Sequence, residues 1–234
     1  FNRHECVTTL IKDAFPVTLS LALGAFTIWL LIGITLGVVA ARKKGRWQDR
    51  SSTVFVLVGT SLPTFISGLL ILLFIALKFD LLNPLDMGKW VSPFENPAKW
   101  FNIFIFPWIT LALASAAAYT RFTRSNVLET TNEDYIRTAR AKGLSEKVIL
   151  RKHTLRAALA PIVTIAGLDF AGLLGGAIIT EGIFNLPGLG RLSIRAVLND
   201  YDLPTIVATT ILAASFVVIM NLIVDIAYAY IDPR

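Results

Sequence analysis

Residues that build metal sites and enzyme active sites are scarce in this chain. It has one cysteine, Cys6, and two histidines, His4 and His153, among 234 residues. A disulfide within the chain is therefore impossible, and so few sulfur and imidazole ligands argue against a structural metal site. The sequence contains no Ser/His/Asp set and no cysteine in the context of a nucleophile. We expect no catalytic residues and no enzyme activity of the chain's own.

A nucleotide-binding loop is missing as well. The glycine-rich segment G-x-x-x-x-G-K-[ST], whose backbone amides cradle phosphates, does not occur. Gly88-Lys89 is the nearest match, and it lacks both the upstream glycine and the Ser/Thr. If the chain takes part in an ATP-driven process, it must take the energy from other subunits.

Charged residues are few: they make up 16% of the chain, against about 25% in soluble domains. Hydrophobic residues make up 55%, and the mean hydropathy is +0.65. Such a chain cannot cover its apolar surface with polar groups and needs lipid around it, so we predict an all-α polytopic membrane protein. The chain starts at Phe1 rather than Met and shows no signal peptide, so we expect a piece of a longer protein.

Five apolar segments are long enough to cross a hydrocarbon core, which takes about 20 helical residues. Gly33 and Gly37 in the first segment have the GxxxG spacing that permits close helix packing, although glycines merely tolerated in a membrane helix explain them as well. Pro63 removes a backbone hydrogen bond in the second segment and is expected to kink it. The predicted spans are residues 16–41, 53–77, 103–120, 157–180 and 204–231.

Basic residues between the spans predict their orientation. Segments 42–51 and 121–156 hold five and nine Lys/Arg, whereas segments 78–102 and 181–203 hold three and two. Because short loops rich in Lys and Arg stay in the cytoplasm, we place the first two segments inside the cell and the other two outside. The chain then starts outside and its C-terminus is cytoplasmic. The whole chain, 1–234, is predicted to form one domain.

The longest charged segment, residues 130–156, is inserted between the third and fourth spans. We predict that it forms two short helices. Thr130 and Glu133 have the spacing of a capping box at the start of the first helix. Gly143 suits the left-handed residue that ends this helix, and Ser145 suits the cap of the second.

A basic helix pair of this kind has three interpretations. Helices around a glycine turn occur in DNA-binding proteins, but attachment to membrane spans at both ends would push duplex DNA into the lipid headgroups. Anionic lipid on the cytoplasmic face is a stronger alternative. We favour a third interpretation, because Gly143-Leu144 and the small residues Thr138 and Ala139 form a compact turn that fits a cleft on another protein.

The same segment resembles the cytoplasmic coupling loop of ABC-importer permeases. The residues that carry the likeness are Arg137-Thr138-Ala139 with Gly143, followed by His153-Thr154-Leu155-Arg156. The sequence DYIRTARAKGLSE is most similar to the oligopeptide/dipeptide permease family. The segments FNLPGLGRL and, at the C-terminus, VDIAYAYIDPR resemble its B-type subunit. Arg137 stands where Glu is usual in the general coupling pattern, and Arg156 stands where Pro is usual.

The resemblance implies a type I ABC importer permease in a prokaryotic inner membrane, with six transmembrane helices in the full-length protein. It implies half of a translocation path for di- or oligopeptides, although relatives move nickel, glutathione or oligosaccharides. The partners would be a homologous C-type permease subunit, two ATP-binding subunits that hold ATP and Mg²⁺, an extracytoplasmic substrate-binding protein and membrane lipid. The chain itself would bind no cofactor and no nucleic acid. The residues that would couple to the ATPase are Asp134, Tyr135, Arg137, Thr138, Ala139, Arg140, Ala141, Lys142, Gly143 and Leu144.

Ionisable residues inside a membrane span are costly and point to function. Asp169, near the middle of its span, either recognises a substrate ammonium group or helps helices pack through hydrogen bonds, whereas Asp225 lies closer to the inner end. The candidates for the translocation path are Ser61, Pro63, Asp169, Asn221 and Asp225, and those for docking of a binding protein are Glu181, Pro187, Gly188, Arg191 and Arg195.

The rival hypothesis is a proton-coupled secondary transporter in which Asp169 and Asp225 relay protons. Such transporters are built from inverted repeats with broken helices, and no convincing repeat relates the two halves of this sequence. A secondary transporter also leaves the basic segment 130–156 unexplained. A membrane scaffold or receptor is the third hypothesis, and it would need no ATP at all.

Overall fold

The computed structural model describes residues 6–77 and 88–231, and the regular structure in these ranges is helical. No strand occurs among the described residues, which confirms the all-α prediction. In this described part of the chain, three π-helical stretches extend or join the α-helices: Ile71–Leu77 after α3, Ile149–Thr154 between α6 and α7, and Ala196–Asp200 after α9. The helices are Val7–Arg42 (α1), Trp47–Ser61 (α2), Thr64–Leu70 (α3), Pro97–Thr131 (α4), Asp134–Ala141 (α5), Glu146–Val148 (α6), Leu155–Leu174 (α7), Ile178–Ile183 (α8), Leu189–Arg195 (α9) and Leu203–Ile231 (α10).

Within residues 6–77 and 88–231, four stretches are long and apolar enough to cross a membrane: Val7–Arg42, Pro97–Thr131, Glu146–Leu174 and Leu203–Ile226. The pair α2 and α3 adds a fifth if the two halves count as one span. The prediction of five spans is therefore confirmed, but α1 and α4 are longer than the predicted 16–41 and 103–120. A helix of 35 residues is about 52 Å long, so its polar ends reach beyond a core of about 30 Å.

The second span is broken rather than kinked. Helix α2 ends at Ser61 and α3 begins at Thr64, with Pro63 in an extended conformation (φ −57°, ψ 140°) at the N-cap between them. Proline has no N–H to continue the ladder, and its ring disfavours helical geometry at the residue before it, here Leu62. The predicted kink is therefore a complete interruption of the helix.

The fourth span ends at Leu174, six residues before the predicted end at Thr180. Gly176 has a φ of +119°, and a Cβ at this position would lie 2.5 Å from the backbone of Gly190. Glycine there allows both the left-handed turn and the close approach of the two backbones. The segment 181–203 that follows was predicted as a loop, and it contains the end of α8 and all of α9.

The chain contacts group into two compact units. The first unit is Phe1–Ile28, Leu62–Ala114 and Asp169–Met220, and the second is Trp29–Ser61, Ser115–Leu168 and Asn221–Arg234. The single domain over 1–234 stays a prediction. In the first unit the rings of Trp100 and Trp108 pack edge to face, with their centroids 4.9 Å apart. The Trp108 indole N–H donates to the carbonyl of Ser20 at 2.9 Å.

In the second unit α1 packs against α4 through the two glycines of the GxxxG pair. A Cβ added at Gly33 would lie 2.5 Å from Cβ of Tyr119, and one added at Gly37 would lie 2.5 Å from Cβ of Thr123 and 2.8 Å from the carbonyl oxygen of Thr120. All three distances are too short for a side chain. The glycines therefore serve close packing, as the GxxxG spacing predicts.

We expect Gly37→Ala to lower the stability of the purified chain by about 1–3 kcal/mol, because the added methyl group meets backbone that cannot move aside alone. Gly172→Ala is the matched control: Gly172 lies in α7, and no other described atom lies within 4 Å of a Cβ built there. Thermal unfolding in detergent measures both variants. An equal loss in the two would show that any added methyl group destabilises these helices and that close packing at Gly37 is not the cause.

Candidate functional site: a charged elbow and an outer cavity

The segment between α4 and α7 forms an elbow, defined here as residues 134–154. Its first helix, α5, ends in a Schellman motif: Leu144 N–H donates to the Ala139 carbonyl at 3.3 Å, and Gly143 N–H donates to the Arg140 carbonyl at 2.9 Å. Gly143 has a φ of +78°, the left-handed conformation that this motif requires. The predicted glycine stop is confirmed, and α5 ends at Ala141.

The predicted capping box at the start of α5 is wrong. Thr130 lies inside α4, which continues to Thr131, and Glu133 takes the N-cap position with no side-chain cap bond. At the end of α4 the Thr131 hydroxyl donates to the Val127 carbonyl at 2.6 Å, and the Asn132 side-chain amide donates to the Leu128 carbonyl at 3.0 Å. These side chains therefore bond back to α4 instead of capping α5.

The second arm of the elbow is not a separate short helix. Ser145 occupies the predicted N-cap position, although its hydroxyl makes no cap bond. From there the helix continues from Glu146 through the π-helical stretch Ile149–Thr154 into α7, as one element ending at Leu174. The elbow is therefore joined to a long apolar helix without an intervening loop.

A small core and one ion pair hold the elbow together. Ile136, Ala139 and Ile149 are buried against one another, and the Arg140 guanidinium pairs with Glu146 at 2.8 Å. Of the predicted coupling residues, Ala139 is thus a packing residue and not part of the surface. The other nine are exposed: Asp134, Tyr135, Arg137, Thr138, Arg140, Ala141, Lys142, Gly143 and Leu144.

Two large apolar side chains stand out on this surface. Tyr135 is 45% exposed and Leu144 is 40% exposed, on a segment otherwise rich in charge. Arg137 pairs with Asp134 at 3.4 Å, but both side chains are well exposed, so this pair adds little stability. Apolar residues framed by charged ones are typical of a surface that another protein covers.

The candidates for the translocation path are all exposed, and they fall in both units. Pro63 and Asp169 belong to the first unit, whereas Ser61, Asn221 and Asp225 belong to the second. Their role in a path stays a prediction.

Glu181, a predicted docking residue, is fully buried and cannot meet a partner protein. The Thr18 hydroxyl donates to its Oε1 at 2.7 Å, and the Arg191 N–H donates to its Oε2 at 2.9 Å. The Leu189 N–H in turn donates to the Thr18 hydroxyl at 2.8 Å. Burial raises the pKa of Glu181, and the hydrogen bonds from Arg191 and Thr18 oppose that shift. Glu181 therefore anchors the start of α9 to α1.

The other docking candidates line a cavity of about 400 Å³ in the first unit. Pro187, Gly188, Arg191 and Arg195 all belong to its lining. The start of α1 and Trp90 complete the lining. These four candidates are thus brought together, and Glu181 supports their turn from beneath: a Cβ at Gly188 would collide with its carboxylate.

One pair that the sequence reasoning missed lies in the second unit. Arg124 holds Asp49 through two hydrogen bonds, Nε to Oδ1 at 2.6 Å and Nη2 to Oδ2 at 3.0 Å, and the Gly45 N–H donates to Oδ2 at 2.9 Å. The pair ties the start of α2 to α4. Asp49 is the single acid among five basic residues in segment 42–51. An isolated acid in a basic segment is the sequence feature that could have indicated an ion pair.

Comparison with known proteins identifies the family. Residues 33–234 match the family described as binding-protein-dependent transport system inner membrane component. The chain is 37% identical over 228 residues to a probable peptide ABC transporter permease protein of Sinorhizobium fredii, covering 97% of this chain and 72% of the relative. It is 39% identical over 234 residues to a putative peptide transport system permease protein of Brucella abortus, covering 100% and 73%. A glutathione transport system permease protein of Escherichia coli is 38% identical over 224 residues, covering 95% and 69%.

Two solved structures share the fold. A chain of the inward-facing MetNI methionine ABC transporter superposes with a TM-score of 0.74 at 18% identity, covering 98% of this chain and 100% of that one. A chain of an amino acid ABC transporter with histidines gives 0.62 at 19% identity, covering 97% and 94%. The fold is that of a type I ABC importer permease, as expected. With a family match over most of its length and relatives well above 30% identity, the chain belongs to the binding-protein-dependent transport system inner membrane components, the permease subunits of ABC importers.

Proposed function

We propose that this chain is the B-type transmembrane subunit of an ATP-driven importer of di- and oligopeptides and forms half of the translocation path. The observation that carries the proposal is the elbow, whose exposed surface continues through one helix into a membrane span. The names of the relatives support the substrate class, since two are peptide permease proteins and the third is named for glutathione. Glutathione is itself a tripeptide.

The elbow passes on a movement that the chain does not generate. Binding of ATP and Mg²⁺ closes a pair of ATPase subunits, and each grips the elbow of one permease subunit. Because α6 and α7 are continuous, the grip tilts the span behind the elbow and shifts the permease between inward- and outward-open states. The chain needs no cofactor of its own for this role.

The proposed assembly follows from the membrane orientation predicted by the Lys/Arg counts of the loops. The elbow and the C-terminus face the cytoplasm, where the two ATPase subunits lie, and a homologous C-type permease subunit completes the path within the lipid. The binding protein docks on the outer face around Pro187, Gly188, Arg191 and Arg195. Side chains that would line the path are Ser61, Pro63, Asp169, Asn221 and Asp225.

Uptake by the reconstituted complex tests this function. Vesicles with the permease pair, the ATPase subunits and the binding protein are expected to accumulate trialanine only when ATP is inside, and a protonophore should leave the rate unchanged. Accumulation driven by a proton gradient without ATP would instead favour the secondary transporter that uses Asp169 and Asp225.

A further inference from the structure

The cavity of the first unit has the size and lining of a small-molecule site. Its volume is about 400 Å³, within the roughly 300–1,000 Å³ typical of ligand pockets. Apolar side chains supply part of its wall, among them Leu10, Pro16, Trp90 and Leu192. The cavity is partly open, so a short peptide can enter it from the surface.

The polar part of the cavity is cationic. Lys12, Arg191 and Arg195 line it with a single acid, Asp13. Arg191 and Arg195 are four residues apart on α9 and so lie on the same helix face, where like charges destabilise each other. Burial lowers the pKa of Arg191, and the neighbouring Arg195 lowers it further. An anion bound between the two guanidinium groups would relieve this repulsion.

The wall that carries these arginines is fixed before any ligand arrives. The Arg191 guanidinium donates to the Asn185 carbonyl at 2.8 Å, and its backbone N–H is held by the buried Glu181 at 2.9 Å. The Thr18 hydroxyl binds both Glu181 and the N–H of Leu189. The start of α9 is therefore already ordered before a ligand binds. This lowers the entropic cost of binding.

We propose that this cavity binds the C-terminal carboxylate of the peptide substrate on the outer face of the permease, with Arg195 and Arg191 as its ligands. Arginine matches a carboxylate through paired, charge-assisted hydrogen bonds. The apolar part of the wall receives the peptide's side chains. The inference rests on the proposed peptide-import function and adds a substrate-recognition site on the permease itself.

Binding of trialanine and of trialanine amide to the whole complex in lipid nanodiscs, without the binding protein, tests the inference. The free acid is expected to bind about tenfold more tightly than the amide, since the amide loses charge-assisted hydrogen bonds. Arg195→Gln should remove this preference. Lys99→Gln removes a positive charge from the same unit outside the cavity, and it should keep the preference.

Equal binding of acid and amide, a preference that survives Arg195→Gln, or no binding of either peptide would overturn the inference. So would an Arg195→Gln variant that weakens docking of the binding protein while wild type shows no acid preference, because the carboxylate would then belong to that protein. ATP-dependent uptake, measured on the same preparation, distinguishes failure of the carboxylate site from failure of the proposed import function. Uptake without acid preference removes only the carboxylate site, whereas no ATP-dependent uptake of any peptide removes the proposed function.

Discussion

Gly143→Val is expected to uncouple transport from ATP hydrolysis, lowering peptide uptake by roughly 5- to 30-fold while the complex still assembles. Valine in the left-handed conformation costs about 1–2 kcal/mol, which corresponds to this factor in a two-state population. No other described atom lies within 4 Å of a Cβ built at Gly143. The loss would therefore come from the backbone, which no longer places Leu144 on the surface of the elbow. Uptake and ATPase rates in vesicles measure it.

Two variants separate this effect from a general loss of stability. Gly45→Val carries the same conformational cost, since Gly45 has a φ of +79° and equally open surroundings, but it lies between α1 and α2, outside the elbow. Asparagine tolerates the left-handed conformation, so Gly143→Asn should retain most of the uptake. If Gly45→Val lowers coupling as much as Gly143→Val, the elbow has no special role in coupling.

Glu181→Ala is expected to destabilise the protein by roughly 3–5 kcal/mol. It leaves the Arg191 N–H and the Thr18 hydroxyl without their acceptor and opens a cavity in a fully buried place. Glu95→Ala removes an exposed carboxylate from the same unit and should change stability by no more than about 0.5 kcal/mol. Thermal unfolding of the purified chain compares them, and similar losses would show that the Glu181 network does not hold α9.

Glu181 also gives stability a predictable pH dependence. Because burial raises its pKa above the ordinary 4.5, the folded state keeps the proton to a higher pH than the unfolded state. Protonated Glu181 therefore contributes to the stability of the folded state. This stabilisation is fully present below the unfolded pKa and is lost as pH rises through the folded pKa. We expect the free energy of unfolding to fall with rising pH across that window, and Glu181→Gln to flatten the fall. An unchanged slope in Glu181→Gln would mean that another group titrates there.

Local sequence signals predicted the local features well. Long apolar runs gave the spans, and Gly143 gave the end of α5, because hydrophobic length and left-handed backbone are properties of a few neighbouring residues. The capping box at Thr130 failed because α4 continues past that residue to Thr131, and the side chains of Thr131 and Asn132 bond back to α4. At Pro63 the prediction had the right residue but too small an effect.

Features that depend on distant residues could not be read from the sequence. In the sequence, Glu181 looks like any polar residue in a loop. Its burial depends on a hydrogen-bond partner, Thr18, that lies 163 positions away. Asp49 and Arg124 are 75 positions apart.

Site-directed cross-linking of the elbow tests the central claim most directly. In a Cys6→Ser background, Leu144→Cys labelled with a thiol-reactive photocross-linker should form an adduct with an ATPase subunit of the purified complex on irradiation. Phe94→Cys, a control at a 96% exposed position in the segment predicted to lie outside, should not. The account predicts an ATPase adduct at Leu144→Cys whose yield changes when ATP is added. Labelling of Leu144→Cys by a membrane-impermeant thiol reagent applied outside intact cells, with no ATPase adduct, would contradict it.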